Sequence, residues 1–95
     1  MDIVVERVVE QLNKLIENRT GEIIKNPDND VLYFELGIAY LSKAGMWHLE
    51  KVLKEEKCYQ YAFENFKKAY DLCPLEEYKI YFEFVEKAKL KYELL

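Results

Sequence analysis

Apolar side chains recur at helical spacing through each long segment of this chain, and that periodicity limits the possible folds more than any other feature. In residues 3–20 they form one stripe with charged residues on the opposite side, which is typical of an amphipathic helix. The 95 residues include only three Gly, two Pro and one Thr, too few turn-forming and β-favouring residues for an ordinary β-sandwich or barrel. We therefore predict a single all-α domain, an antiparallel helical bundle of four or five helices.

The boundaries of the first two helices follow from residues that stop or cap a helix. Pro27 ends the N-terminal helix within residues 1–26, because proline disfavours the helical conformation of the residues just before it. Asp28-Asn29-Asp30 supplies capping side chains for a second helix that begins near Val31. Ala44-Gly45 is the predicted end of this second helix.

The second half of the chain has a long stretch without helix breakers. Residues 46–73 contain no Gly or Pro, so one long helix and two helices that meet near residue 57 both fit the pattern. Pro74 ends this stretch and is well suited to the first turn of a final helix at about residues 75–93.

Eight residues within residues 27–74 have the types and, within each half, the spacing of the tetratricopeptide repeat (TPR). They are Tyr33, Leu36, Gly37, Tyr40, Ala62, Phe66, Ala69 and Pro74. The chain resembles that family over residues 27–74, with an insertion of about 13 residues around 46–58 where the family has a tight turn. The resemblance implies a short right-handed superhelix in which residues 1–26 and 75–95 are capping helices.

The resemblance also assigns roles to these side chains. Gly37 and Ala62 would let two antiparallel helices approach closely, Ala69 would admit the next helix, and the aromatic residues would fill the gaps. After Pro74 the pattern fails, since Glu83 and Phe84 stand where Leu-Gly is expected. A stack normally needs about three repeats to bury a continuous core. The insertion or another chain must therefore complete this one.

The family binds peptides in a groove lined by the first helix of each repeat. Here that register gives a groove face, defined as Val31, Phe34, Ile38, Leu41 and Ser42. It is too apolar for a carboxylate clamp and fits an apolar peptide or helix; coverage by helix 1 or by the insertion is the alternative. Met46 and Trp47, in the insertion, form a second candidate contact for a partner or a dimer.

Several functional classes are disfavoured by composition and spacing. The net charge of −4 is opposite to that of most nucleic-acid-binding proteins. No stretch is long and apolar enough to span a membrane, and the N-terminus does not resemble a secretory signal, so we expect a cytoplasmic protein. The abundance of Glu and Lys beside two Gln is a weak indication of a thermophilic source.

The chain also lacks the patterns of a chemical site. Cys58 and Cys73 do not have the spacing of a zinc or redox pair, and His48 has no ligand or carboxylate one helical turn away. We expect no catalytic residue, metal or cofactor, and hence no enzyme. The leading prediction is a non-enzymatic module that binds a peptide or helix. A homo-oligomer that completes the stack is the first alternative, and a small-molecule-binding bundle with Trp47 at its site is the second.

Overall fold

The structure is a computed structural model that describes residues 3–50 and 57–92, without the side chains of residues 47–50 and 92. It consists of α1 (Ile3–Lys25), α2 (Asp30–Glu50), α3 (Cys58–Leu72) and α4 (Glu76–Tyr92). The predicted all-α fold is confirmed, with four helices in the described part of the chain.

The start of α2 follows the predicted capping pattern. The Oδ1 atom of Asn29 accepts a hydrogen bond of 3.0 Å from the backbone N–H of Val31, so a side chain satisfies a free donor of the first turn. On the other side of the link, α1 ends at Lys25, next to Asn26-Pro27.

The predicted end of α2 at Ala44-Gly45 is wrong, because the helix continues to Glu50. A glycine inside a helix costs only about 1 kcal/mol relative to alanine. Ala44 is 3% exposed and belongs to the same buried cluster as Cys58, and this burial favours continuation of the helix past Gly45.

Residues 46–73 do not form one continuous helix. Residues 46–50 are the end of α2, and α3 begins at Cys58. Lys57 directly precedes α3 and has left-handed backbone angles, φ 50° and ψ 40°, which a continuous right-handed helix does not accommodate. The predicted insertion at 46–58 therefore begins inside α2 and ends at the first residue of α3, and its residues 51–56 lie outside the described part.

The link between α3 and α4 is organised by Pro74. Cys73 has an extended backbone, φ −148° and ψ 100°, as favoured for a residue before proline. Its N–H still donates to the carbonyl oxygen of Ala69 at 2.9 Å, which satisfies an acceptor of the last turn of α3. The final helix, α4, then covers Glu76–Tyr92, close to the predicted 75–93.

The core lies around α3, between α2 and α4. Ala62, Phe66 and Ala69 of α3 and Val85 of α4 are all 0% exposed. By contrast, α1 has no buried residue and packs mainly on α2, with Arg19 Nε donating to Glu35 Oε2 at 2.8 Å. Neighbouring helices in the chain are thus neighbours in space, and α1 and α4 are the two outer helices.

Candidate interaction surface

At Gly37, α2 packs directly against the Phe66 ring of α3. A Cβ atom built on Gly37 would lie 2.6 Å from two ring carbons of Phe66, closer than side-chain carbons can pack. Leu36, Ala62 and Ala69 are buried around this contact. Gly37 therefore lies where α2 packs on α3, and the other small residues of the pattern, Ala62 and Ala69, are buried on α3.

Tyr33 and Tyr40 lie on either side of this contact. The hydroxyl of Tyr33 donates to the carbonyl oxygen of Pro27 at 2.9 Å, and Lys68 Nζ lies 5.9 Å from the Tyr33 ring. Tyr40 meets the ring of Tyr61 with 5.3 Å between centroids. These pairings run in opposite directions along α2 and α3, which establishes that the two helices are antiparallel.

Phe34, a residue of the predicted groove face, is packed against two other helices. Its ring centroid lies 5.5 Å from Phe66 of α3, and 5.0 Å and 5.1 Å from Tyr78 and Tyr81 of α4. We call Phe34, Phe66, Tyr78 and Tyr81 the aromatic cluster. Coverage of the groove face by helix 1 or by the insertion was the expected alternative, but at Phe34 the covering residues come from α4.

The aromatic cluster includes a hydrogen bond between distant parts of the chain. The hydroxyl of Tyr78 donates to Asp30 Oδ2 at 2.6 Å, and Tyr78 is 5% exposed. Burial, and to a lesser extent the hydrogen bond to the Asp30 carboxylate, raises the pKa of the Tyr78 hydroxyl well above its usual value. Tyr78 therefore remains a neutral donor that fixes α4 against the first turn of α2.

The rest of the groove face is divided between surface and core. Val31 is 49% exposed and Ser42 is also exposed, whereas Ile38 and Leu41 are half-buried against the core. Tyr81 of α4 is 36% exposed and, through Phe34, adjoins this face. Val31, Ile38, Leu41 and Tyr81 thus form a partly exposed apolar surface, which we call the strip.

The second predicted contact, Met46 and Trp47, is only partly described. Met46 is half-buried near the end of α2. The side chains of Trp47 and His48 lie outside the described residues, so the predictions made for them stay predictions.

One pair of exposed apolar residues on α4 was not predicted from the sequence. Ile80 and Phe84, on the outer side of α4, are 58% and 59% exposed. They lie one helical turn apart and off the stripe that contains Tyr78, Phe82 and Val85. This second pair of apolar residues on one helix was the signal that could have revealed an additional surface.

Other chemical features are sparse among the described residues. They contain no group of three or more His, Cys, Asp or Glu side chains arranged to hold a metal ion. Cys58 is buried and Cys73 is half-buried, and the described structure places neither in a disulfide. No helix among the described residues combines the length and apolar character needed to cross a bilayer.

Comparison with known proteins identifies no relative. No protein-family model matches the chain, and neither the curated proteins nor the solved structures include a significant match.

Proposed function

We propose that this chain is a non-enzymatic, cytoplasmic protein–protein interaction module built on a TPR-like repeat at residues 27–74, with capping helices on both sides. It binds an apolar peptide or a helix of another protein along the groove face. Val31 of α2 and Tyr81 of α4 are its accessible apolar contacts. The ring of Phe34 lies where these two helices meet.

The observation that carries this proposal is the contact between Gly37 and Phe66. The repeat pattern uses glycine to bring two antiparallel helices together and an aromatic residue to fill the space between them. A Cβ on Gly37 would meet the Phe66 ring at 2.6 Å, and this packing of a glycine against an aromatic ring supports the proposal.

Binding without chemistry is supported by the composition of the strip. An exposed aliphatic side chain, a partly exposed tyrosine and the half-buried Ile38 and Leu41 can bury apolar groups of a ligand. Helix-in-groove recognition uses anchors of this kind at helical spacing.

The test is selection from a display library of random linear peptides, which samples many ligand sequences at once. Wild-type protein should enrich peptides with apolar anchors, and Val31→Glu should lose them, because a carboxylate in the strip would be desolvated by the ligand. Ile24→Glu is the matched control, since Ile24 is 79% exposed and belongs to α1, not to the groove face. Equal enrichment by both variants, or no enrichment by wild type, would contradict the proposal.

Self-association that completes the short stack is the second candidate function. The observation that favours it is the exposed pair Ile80 and Phe84 on α4, one of the two outer helices. A second copy that covers this pair would extend the core by one layer.

A further inference from the structure

The outer side of α4 has the residue pattern of a helix that pairs with another helix. Glu77, Ile80, Phe84 and Lys87 follow one another at intervals of three, four and three residues, which is the spacing of a helix-pairing stripe. All four are exposed. We call these four residues the outer face of α4.

The side of α2 that corresponds in sequence to the outer face of α4 is covered by α3. Ile80 and Phe84 follow Pro74 by the same intervals at which Tyr33 and Gly37 follow Pro27. In α2, those two positions face α3, where Gly37 meets Phe66. Within the described part of the chain, no helix lies against Ile80 and Phe84 as α3 lies against Gly37.

Charge is distributed along the outer face so that it complements itself. An acidic residue, Glu77, precedes the apolar pair, and a basic residue, Lys87, follows it. Two copies of this helix placed antiparallel about a twofold axis near residue 82 bring Ile80 of each copy opposite Phe84 of the other. The same register brings Glu77 of each copy opposite Lys87 of the other.

We propose that the outer face of α4 is the interface of a twofold-symmetric homodimer, in which the two α4 helices pack antiparallel. The partner's α4 occupies the place on α4 that α3 occupies on α2. This inference rests on the second candidate function and gives it a surface, a symmetry and a register. A twofold interface must be self-complementary, and the order of acidic, apolar and basic residues meets that condition in the antiparallel arrangement alone.

The neighbouring charges fit this arrangement. Lys79 and Glu83 lie beside the outer face and are already paired with each other along α4, with 3.9 Å between Nζ and Oε1. Glu77 and Lys87 are ten residues apart, too far to pair within one helix. The antiparallel register instead places Glu77 of each copy opposite Lys87 of the other.

The first experiment makes the same substitution, isoleucine to glutamate, at two positions and compares the variants by sedimentation velocity at micromolar concentrations. The wild type should have a mass near twice the 11.4 kDa of the chain. Ile80→Glu should weaken dimerisation by more than about tenfold, because association would bury an unpaired carboxylate. Ile24→Glu, the matched control on α1, should dimerise like the wild type.

The second experiment tests the register by exchanging charges. Glu77→Lys and Lys87→Glu should each weaken the dimer, because each places like charges opposite one another. The double variant Glu77→Lys/Lys87→Glu should regain dimerisation, since its charges are opposite again. Far-UV circular dichroism of each variant confirms that the helices are retained.

The outcomes separate this inference from the function on which it rests. A wild-type monomer at all concentrations overturns both. A dimer that Ile80→Glu leaves intact, or that Ile24→Glu also dissociates, overturns the α4 interface and leaves self-association standing. A double variant that stays dissociated overturns the antiparallel register.

Discussion

At Gly37 a single methyl group would collide with the core. The Phe66 ring it would meet is 0% exposed and contacts Phe34 and Tyr81, so the ring has little room to move. We expect Gly37→Ala to lower the free energy of unfolding by about 1–3 kcal/mol from overpacking. This loss should exceed the gain of about 1 kcal/mol in helix propensity. Urea denaturation measures the difference.

Gly45, in the same helix, is the control for this substitution. Among the described residues, apart from its chain neighbours and the backbone of its own helix turn, no atom lies within 4 Å of the position where its Cβ would be. Gly45→Ala should therefore raise the free energy of unfolding by about 0.5–1 kcal/mol, since only helix propensity changes. If the two variants shifted stability in the same direction, the close approach of α2 and α3 at Gly37 would be contradicted.

The hydroxyl of Tyr78 is expected to stabilise the fold through Asp30. Tyr78→Phe removes that hydroxyl and leaves the buried ring in place. A hydrogen bond to a charged acceptor contributes about 1.5–3 kcal/mol, so we expect a loss of that order at neutral pH, measured by urea denaturation. Tyr61→Phe, at a ring that is 42% exposed, should change stability much less.

Tyr78 also makes the free energy of unfolding depend on pH in the alkaline range. The pKa of Tyr78 is raised in the fold above its ordinary value of 10.0, so above pH 10 the native state retains a proton that the unfolded state loses. The Tyr78 hydroxyl makes its full contribution to the free energy of unfolding below pH 10, and this contribution declines as the pH rises further. The wild type should therefore lose more stability than Tyr78→Phe above pH 10. Parallel pH curves for the two proteins would exclude this role.

Among the helices, α1 is expected to open first. It is 23 residues long without one buried residue, and several β-branched residues near its start lower its intrinsic helix propensity. Local opening is easiest where few apolar contacts must be broken. Hydrogen exchange should be fastest in the amides of α1 and slowest in α3. Protection of α1 equal to that of α3 would show that the helices open together.

A substitution at Arg19 tests whether α1 opens independently of the other helices. Its hydrogen bond to Glu35 joins α1 to α2. Arg19→Ala should accelerate exchange in α1, while the amides of α3 keep their protection. Acceleration of both helices by the same factor would count against independent opening of α1.

Local signals predicted the elements well where prolines and caps determine them. Pro27, Asn29 and Pro74 act within a few residues of their own position, and the helix boundaries near them agree with the sequence. The end of α2 was missed because Gly45 is a weak breaker, and the burial of Ala44 beside Cys58 depends on a distant segment.

The candidate surface was less predictable for the same reason. The spacing of Phe34 and Ile38 is identical whether their side chains face an open groove or a covering helix. Coverage of Phe34 depends on Tyr78, whose bond to Asp30 joins residues 48 positions apart. Sequence periodicity therefore predicts which residues share a side of the helix, but not what lies against that side.

At the scale of the whole molecule, the helices form a short open stack. Their order in space follows the chain, and the principal extents are 38 × 27 × 19 Å. The smallest extent corresponds to about two helix diameters. An open stack of this kind leaves its outer helices with one side unpaired. Of the two outer helices, as far as their described residues show, α4 is the one with an exposed aliphatic and an exposed aromatic residue one turn apart, Ile80 and Phe84.

If two copies pair through α4, stability must depend on protein concentration. Dimerisation stabilises the folded chain by mass action, by about 0.7 kcal/mol per chain for each tenfold increase above the dissociation constant. For a domain of this size, that corresponds to a rise in Tm of about 3–5 °C. Calorimetry should detect this rise for the wild type and for Ile24→Glu, whereas the Tm of Ile80→Glu should stay constant. A wild-type Tm that does not change with concentration would mean that the outer face of α4 stays exposed to solvent.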